Sequence, residues 1–132
     1  GLSRAQMENL FPGYELPADV TAAGWYRGAG KESHGECWAR VASVAAELRA
    51  AAAALEADRQ LVVVAHHDFL CNLLNALIMG DHAPQGRCET WKHYNTGITV
   101  VDVAATGDVS VLMTNNVPHL SATKELISGV ST

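Results

Sequence analysis

The chain is short of several features that mark whole classes of protein, and each shortage excludes something. No apolar run approaches a membrane span; the longest, Leu61 to Ala65, is strand-sized. No signal peptide is visible, and no internal repeat. Basic residues are outnumbered, 9 Lys and Arg against 14 Asp and Glu, which gives a formal net charge of −5. That argues against a nucleic-acid or anionic-membrane partner, because both require a basic surface. It leaves room for a small phosphorylated substrate or free phosphate, which needs only a local cluster of donors. Cysteine is scarce and odd in number, with Cys37, Cys71 and Cys88 at no short repeated spacing. This reads as reduced thiols of a cytoplasmic protein rather than a disulfide framework. An initiator methionine is also lacking: the chain opens Gly-Leu-Ser-Arg, as a trimmed tag or a start inside a larger domain would give.

What is present is the composition of a folded domain, 48% apolar and 17% charged over 132 residues. That length suffices for one core and falls short of two. Ser3 can cap a helix running to about Phe11, where Pro12-Gly13 stops it. Residues 13 to 31 read as a long loop, with room for one helical turn near Pro17 to Ala23, and a loop of that length inside a compact domain is usually functional. Ser33 and Glu36 form a capping-box pattern ahead of the longest helix, whose apolar positions Val41, Val44, Leu48, Ala52 and Leu55 carry it to near Asp58.

Leu61-Val62-Val63-Val64-Ala65 is apolar on both faces, as a buried parallel strand is. Leu70, Leu73, Leu74, Leu77 and Ile78 then mark an amphipathic helix ended by Gly80. A polar loop over 81 to 92 precedes two strands, Thr96 to Val103 and Val109 to Thr114, joined across Ala-Ala-Thr-Gly-Asp as a hairpin. The tail from Ser121 carries no clear pattern. The class is α/β but short of strands, since a strand buried on both faces needs a parallel neighbour and the chain offers none.

His66-His67-Asp68 falls where the expected strand gives way to a helix. In open α/β sheets, ligands bind just past the carboxyl ends of strands. The first turn of the next helix offers unpaired N–H groups and partial positive charge, which suit a phosphate. A protonated histidine at the last strand position would add a cationic donor. The plain alternative makes His66 a satisfied polar residue at a strand end and Asp68 a helix cap.

Longer stretches carry a more specific likeness. Residues 61 to 70, Leu-Val-Val-Val-Ala-His-His-Asp-Phe-Leu, resemble the second histidine motif of the histidine phosphatases, the phosphoglycerate-mutase-like superfamily. Gly24-Trp25-Tyr26 followed by Glu32-Ser33 and Arg40 resembles the family's Gly-Trp…Glu-Ser…Arg stretch. Asn95-Thr96-Gly97-Ile98-Thr99 resembles its Asn-Thr-x-Ile-Thr strand, and Asn116 with His119-Leu120 its closing Asn…His-Leu. The four follow the family's order and cover nearly the whole chain.

The resemblance implies a three-layer α/β/α fold and a reaction through phosphohistidine. In the family a histidine of an N-terminal Arg-His-Gly motif attacks the phosphoryl group. A second histidine and two arginines hold the phosphate oxygens, and a Glu or Asp protonates the leaving group. No metal or other cofactor is needed. Carried over by motif, His66 is the second histidine, catalytic and phosphate-binding, and His67 is a further phosphate-binding candidate.

Two departures follow. The 132 residues contain no Arg-His-Gly, so the resemblance implies the C-terminal part of one such domain, residues 1 to 132, with an incomplete sheet and without the nucleophile. The partner completing it would be the missing N-terminal segment or a second copy of the chain. His67 also stands where the family usually has glycine, which lets the backbone approach phosphate. A side chain there narrows the pocket, points away or supplies another donor, and the sequence leaves the three open.

Other residues have ordinary explanations. Glu32 and Glu36 tempt assignment as a general acid, but glutamate near a helix N-terminus is stabilised by the dipole whatever the function. Arg40 pairs naturally with Glu36 one turn earlier. Trp25 and Tyr26 could line a substrate mouth, though such residues more often pack. A metal site at His66, His67 and Asp68 with a cysteine is disfavoured, because adjacent residues of an extended chain point to opposite sides. No Cys-x-x-Cys or His-x-x-x-His pair supports it either. The remaining rival is a non-catalytic binding module that keeps the fold; mutase and phosphatase, in turn, cannot be separated from these residues.

Overall fold

The computed structural model describes residues 1–26, 28, 30–83 and 90–129. The chain forms two compact units, Gly1–Glu32 and Ser33–Thr132.

The first unit is organised by a cation. Helix α1, Arg4–Leu10, starts at Ser3, whose side chain and Gln6 form a reciprocal capping box. Arg4 then closes the following loop onto the helix. Its Nε donates to the Val20 carbonyl at 2.8 Å, other guanidinium N–H groups donate to the carbonyls of Leu16 and Pro17, and it pairs with Glu8 at 3.0 Å. Five donors in a rigid fork suit a loop whose carbonyls lack secondary-structure partners. The helical turn expected at Pro17 to Ala23 does not form; tight turns take its place, with Thr21 bridged to Gly24. Gly24 sits at φ +95, and a Cβ there would stand 3.1 Å from the Leu2 carbonyl.

The second unit holds the core. Helix α2, His34–Ala54, begins at Ser33 with the expected capping box, Ser33 N–H donating to Glu36 Oε2 at 2.8 Å. It stops at Ala54, four residues before the expected Asp58, and the next residue, Leu55, turns extended and stays exposed. Helix α3, His67–Met79, ends at Gly80 with φ +56, as anticipated. Val41 and Ala45 of α2 pack with Leu73, Ala76 and Leu77 of α3, and Trp38, Leu48 and Phe69 close over them. Arg40 lies 4.4 Å above the Phe69 ring, a cation–π contact joining the two helices. Strands β1, Ile98–Val103, and β2, Val109–Asn116, form the expected antiparallel hairpin. Among the described residues this is a sheet of two strands.

Three further expectations are corrected. Leu61–Ala65 is not a buried strand: it runs extended, no backbone hydrogen bond among the described residues joins it to another segment, and Leu61, Val62 and Val64 are exposed. A strand closes its hydrogen bonds only on a neighbour, and none is present among the described residues. Helix α3 is not one-sided, because Asn72 and Asn75 are buried along with the leucines. The cysteines are not all reduced thiols. Cys71 is disulfide-bonded, while Cys37 keeps its thiol; Cys88 lies outside the described residues. The fold brings chain back across α3 there, with Trp91 N–H reaching Cys71 Sγ at 3.4 Å, so proximity comes from packing and not from spacing. Cysteine usage therefore no longer argues for a reducing compartment. No helix among the described residues is long and apolar enough to cross a membrane.

Candidate functional site

His66 is the N-cap residue of α3, with extended backbone and an exposed side chain that makes no capping bond. The first intrahelical bond runs from Leu70 N–H to the His66 carbonyl at 2.9 Å. The amides of His67, Asp68 and Phe69 therefore precede the helix's own hydrogen bonding, the arrangement that receives anions. Asp68 in that first turn is exposed, and its carboxylate carries the sign that favours a helix N-terminus and opposes a second anion.

His67 turns elsewhere, as alternation along an extended entry predicts. Its Nδ1 accepts the backbone N–H of His93 at 3.3 Å, and the two rings stand 5.9 Å apart, edge to face at 73°. The contacts with His93 engage this side chain. They bind it to the segment ahead of β1.

That segment is built by a connected set of polar contacts, of which only Thr99 belongs to a motif quoted from the sequence. His93 is buried; its Nδ1 lies 3.5 Å from Thr99 Oγ1, and Nε2 has no hydrogen-bond partner among the described residues. Burial first, and the nearby His67 second, lower its pKa below the ordinary 6.5. Thr99 Oγ1 in turn accepts the Asn115 N–H at 3.0 Å, and Asn115 Oδ1 accepts the Tyr94 N–H. Asn115 does this from a left-handed backbone, φ +48, where the register of β1 and β2 slips by a bulge. Asparagine tolerates that conformation better than most residues. A Cβ at Gly97 would fall 2.5 Å from Asn115 Oδ1, so a larger residue there would displace the Asn115 side chain.

The two motif stretches at 95–99 and 116–120 meet here. Thr96, also left-handed at φ +60, places Oγ1 2.8 Å from His119 Nε2. Asn95 Nδ2 reaches Ser128 Oγ at 3.2 Å, tying the tail to the same loop. Asn116 stands apart, with its amide on Met113 sulfur at 3.0 Å, so the linking asparagine is Asn115. A polar residue between two motifs, such as His93, gave no signal by pattern; its burial depends on how the hairpin returns to α3.

The remaining candidates are distributed elsewhere. Glu36 is engaged in its capping box, its carboxylate also accepting Ser33 Oγ–H at 2.7 Å. Glu32 is exposed. Trp25 and Tyr26 are both exposed and pack on each other edge to face at 5.6 Å, Tyr26 donating to the Gly30 carbonyl at 2.8 Å. No three His, Cys, Asp or Glu side chains among the described residues converge as a metal would require.

No curated protein and no solved structure matches the chain significantly. A family model does, over residues 1–116, nearly the full span that the four motifs cover. On that match the chain belongs to the histidine phosphatase superfamily, branch 1.

Proposed function

We propose that the chain is the C-terminal part of a phosphoglycerate-mutase-like histidine phosphatase domain acting on small phosphomonoesters. His66 is its second, phosphate-stabilising histidine, and the histidine nucleophile is not among these 132 residues. The observation that carries this reading is the place of His66. It stands exposed at the head of α3, beside three amides that are not used by the helix, where an apolar extended segment ends.

In this reading Leu61–Ala65 becomes a central strand once a neighbouring strand bearing Arg-His-Gly docks alongside it. Helices then cover both faces, which completes three layers. His66 and the amides of His67 to Phe69 neutralise the phosphoryl oxygens while the supplied histidine attacks in line. Such preorganised donors act where charge develops, and covalent transfer divides one displacement into two. His67 contributes through position, not as a direct phosphate donor.

The test is turnover of p-nitrophenyl phosphate and 3-phosphoglycerate by the purified chain, alone and mixed with a segment carrying the Arg-His-Gly strand. Loss of a nucleophile costs on the order of 10⁶ in kcat, so the chain alone should be silent and the mixture active. Robust turnover by the chain alone that vanishes in His66→Ala would place the nucleophile at His66 and overturn the assignment.

A further inference from the structure

The contact on His67 carries a chemical condition. An imidazole nitrogen accepts an amide N–H only through a lone pair, so the 3.3 Å bond from His93 N–H to His67 Nδ1 requires that Nδ1 be bare. Neutral His67 then carries its proton on Nε2. Protonation puts a second hydrogen on Nδ1, facing the amide hydrogen, and attraction becomes repulsion.

We infer that His67 and His93 form a pH-sensitive clasp: neutral His67 holds the segment 91–97 on the N-terminus of α3, and protonated His67 releases it. Geometry gives the clasp a single working state. The His93 ring stands 5.9 Å from that of His67 and is buried, so it cannot swing out to relieve a new charge without leaving the core. Nor does it take the proton instead, because burial and then the neighbouring His67 disfavour its charged form. Release would not stop at one bond, since His93 leads through Thr99 to Asn115 and Tyr94, and the same loop holds Thr96 on His119.

The charged and titratable neighbours are His66 and Asp68 on the first turn of α3, Lys92 and Tyr94 on either side of His93, and His119 on Thr96. From α2, Arg40 lies over Phe69 and Glu36 caps its own helix. A test must therefore separate His67 from these groups, and its shape allows that. The Oδ1 of asparagine occupies the place of Nδ1 and accepts an amide, but does not titrate. The inference does not depend on phosphate binding or on turnover.

The experiment is amide hydrogen exchange on the full chain, read as protection at His93, Tyr94 and Asn115, with the mid-α3 amide of Leu74 as reference. Between about pH 8 and about pH 5, where imidazoles titrate, protection at His93 should fall about tenfold while Leu74 holds. His67→Asn should keep that protection across the range, and His67→Leu should lack it throughout. If His67→Leu fails to fold, wild type against His67→Asn still decides. Flat protection in wild type while the His67 ring titrates overturns the clasp. So does an equal fall in His67→Asn, which would assign the pH effect to another group.

Discussion

Leu73, Leu74 and Leu77 of α3 are 2–5% exposed, whereas Leu61, Val62 and Val64, a few residues upstream, are 70–93% exposed. Both stretches are apolar, and burying such a side chain is worth about 1.5–3 kcal/mol wherever it occurs. The difference lies in the backbone. A helix satisfies its own N–H and C=O groups and needs only a face to pack on, which α2 provides. An extended segment must give half its hydrogen bonds to a neighbour before its side chains can be enclosed. The hairpin repeats the point on a smaller scale: Thr99, Val101 and Val103 are partly covered, and Ile98, Val100 and Leu112 remain exposed.

The largest expected effect tests this contrast directly. Leu77→Ala should cost about 2–5 kcal/mol in urea unfolding of the chain, through lost burial and a residual cavity. Val64→Ser should stay within about 0.5 kcal/mol, as exposed substitutions do. Equal losses would mean that the upstream segment is enclosed after all.

The next effect probes how α3 is buried on its polar side. Trp91 Nε1 donates to Asn75 Oδ1 at 2.9 Å, and Asn75 is 2% exposed. Trp91→Phe removes this donor, so a loss of about 0.5–1.5 kcal/mol is expected from denaturation. A neutral result would show that the bond contributes nothing to the burial of this side of α3.

A smaller effect follows from His93. Its folded pKa lies below the unfolded value of 6.5, so between the two the unfolded chain binds more protons. The stability it contributes is present above pH 6.5 and is lost as pH falls through the folded pKa. Urea unfolding across that range should show stability declining toward acid in wild type, with a shallower slope in His93→Phe. Identical slopes would contradict the burial of this ring.

These particulars show where sequence was enough. The capping boxes at Ser3 and Ser33, the stop at Gly80 and the hairpin were legible because each is set by residues within a few positions of one another. The junction at His66 between extended chain and α3 was legible for the same reason. Leu61–Ala65 was read correctly as extended and wrongly as buried, since burial there depends on a chain segment that pattern cannot supply. His93, Asn72 and Asn75 escaped notice because polar residues read as surface, and only the packing of α3 against the loop and hairpin encloses them. The Cys71 disulfide escaped for a related reason: it follows from distance in the fold, to which an odd count of cysteines is blind.

In the proposed function, phosphate is received at His66 and the head of α3. Nuclear magnetic resonance of the 132-residue chain titrated with inorganic phosphate tests it most directly, reading the His66 ring and the amides of His67, Asp68 and Phe69 together. All four should move in one saturable event, and that event should be lost in His66→Ala. Resonances of His66 and the three amides unmoved by phosphate, or binding that survives the substitution, would contradict it.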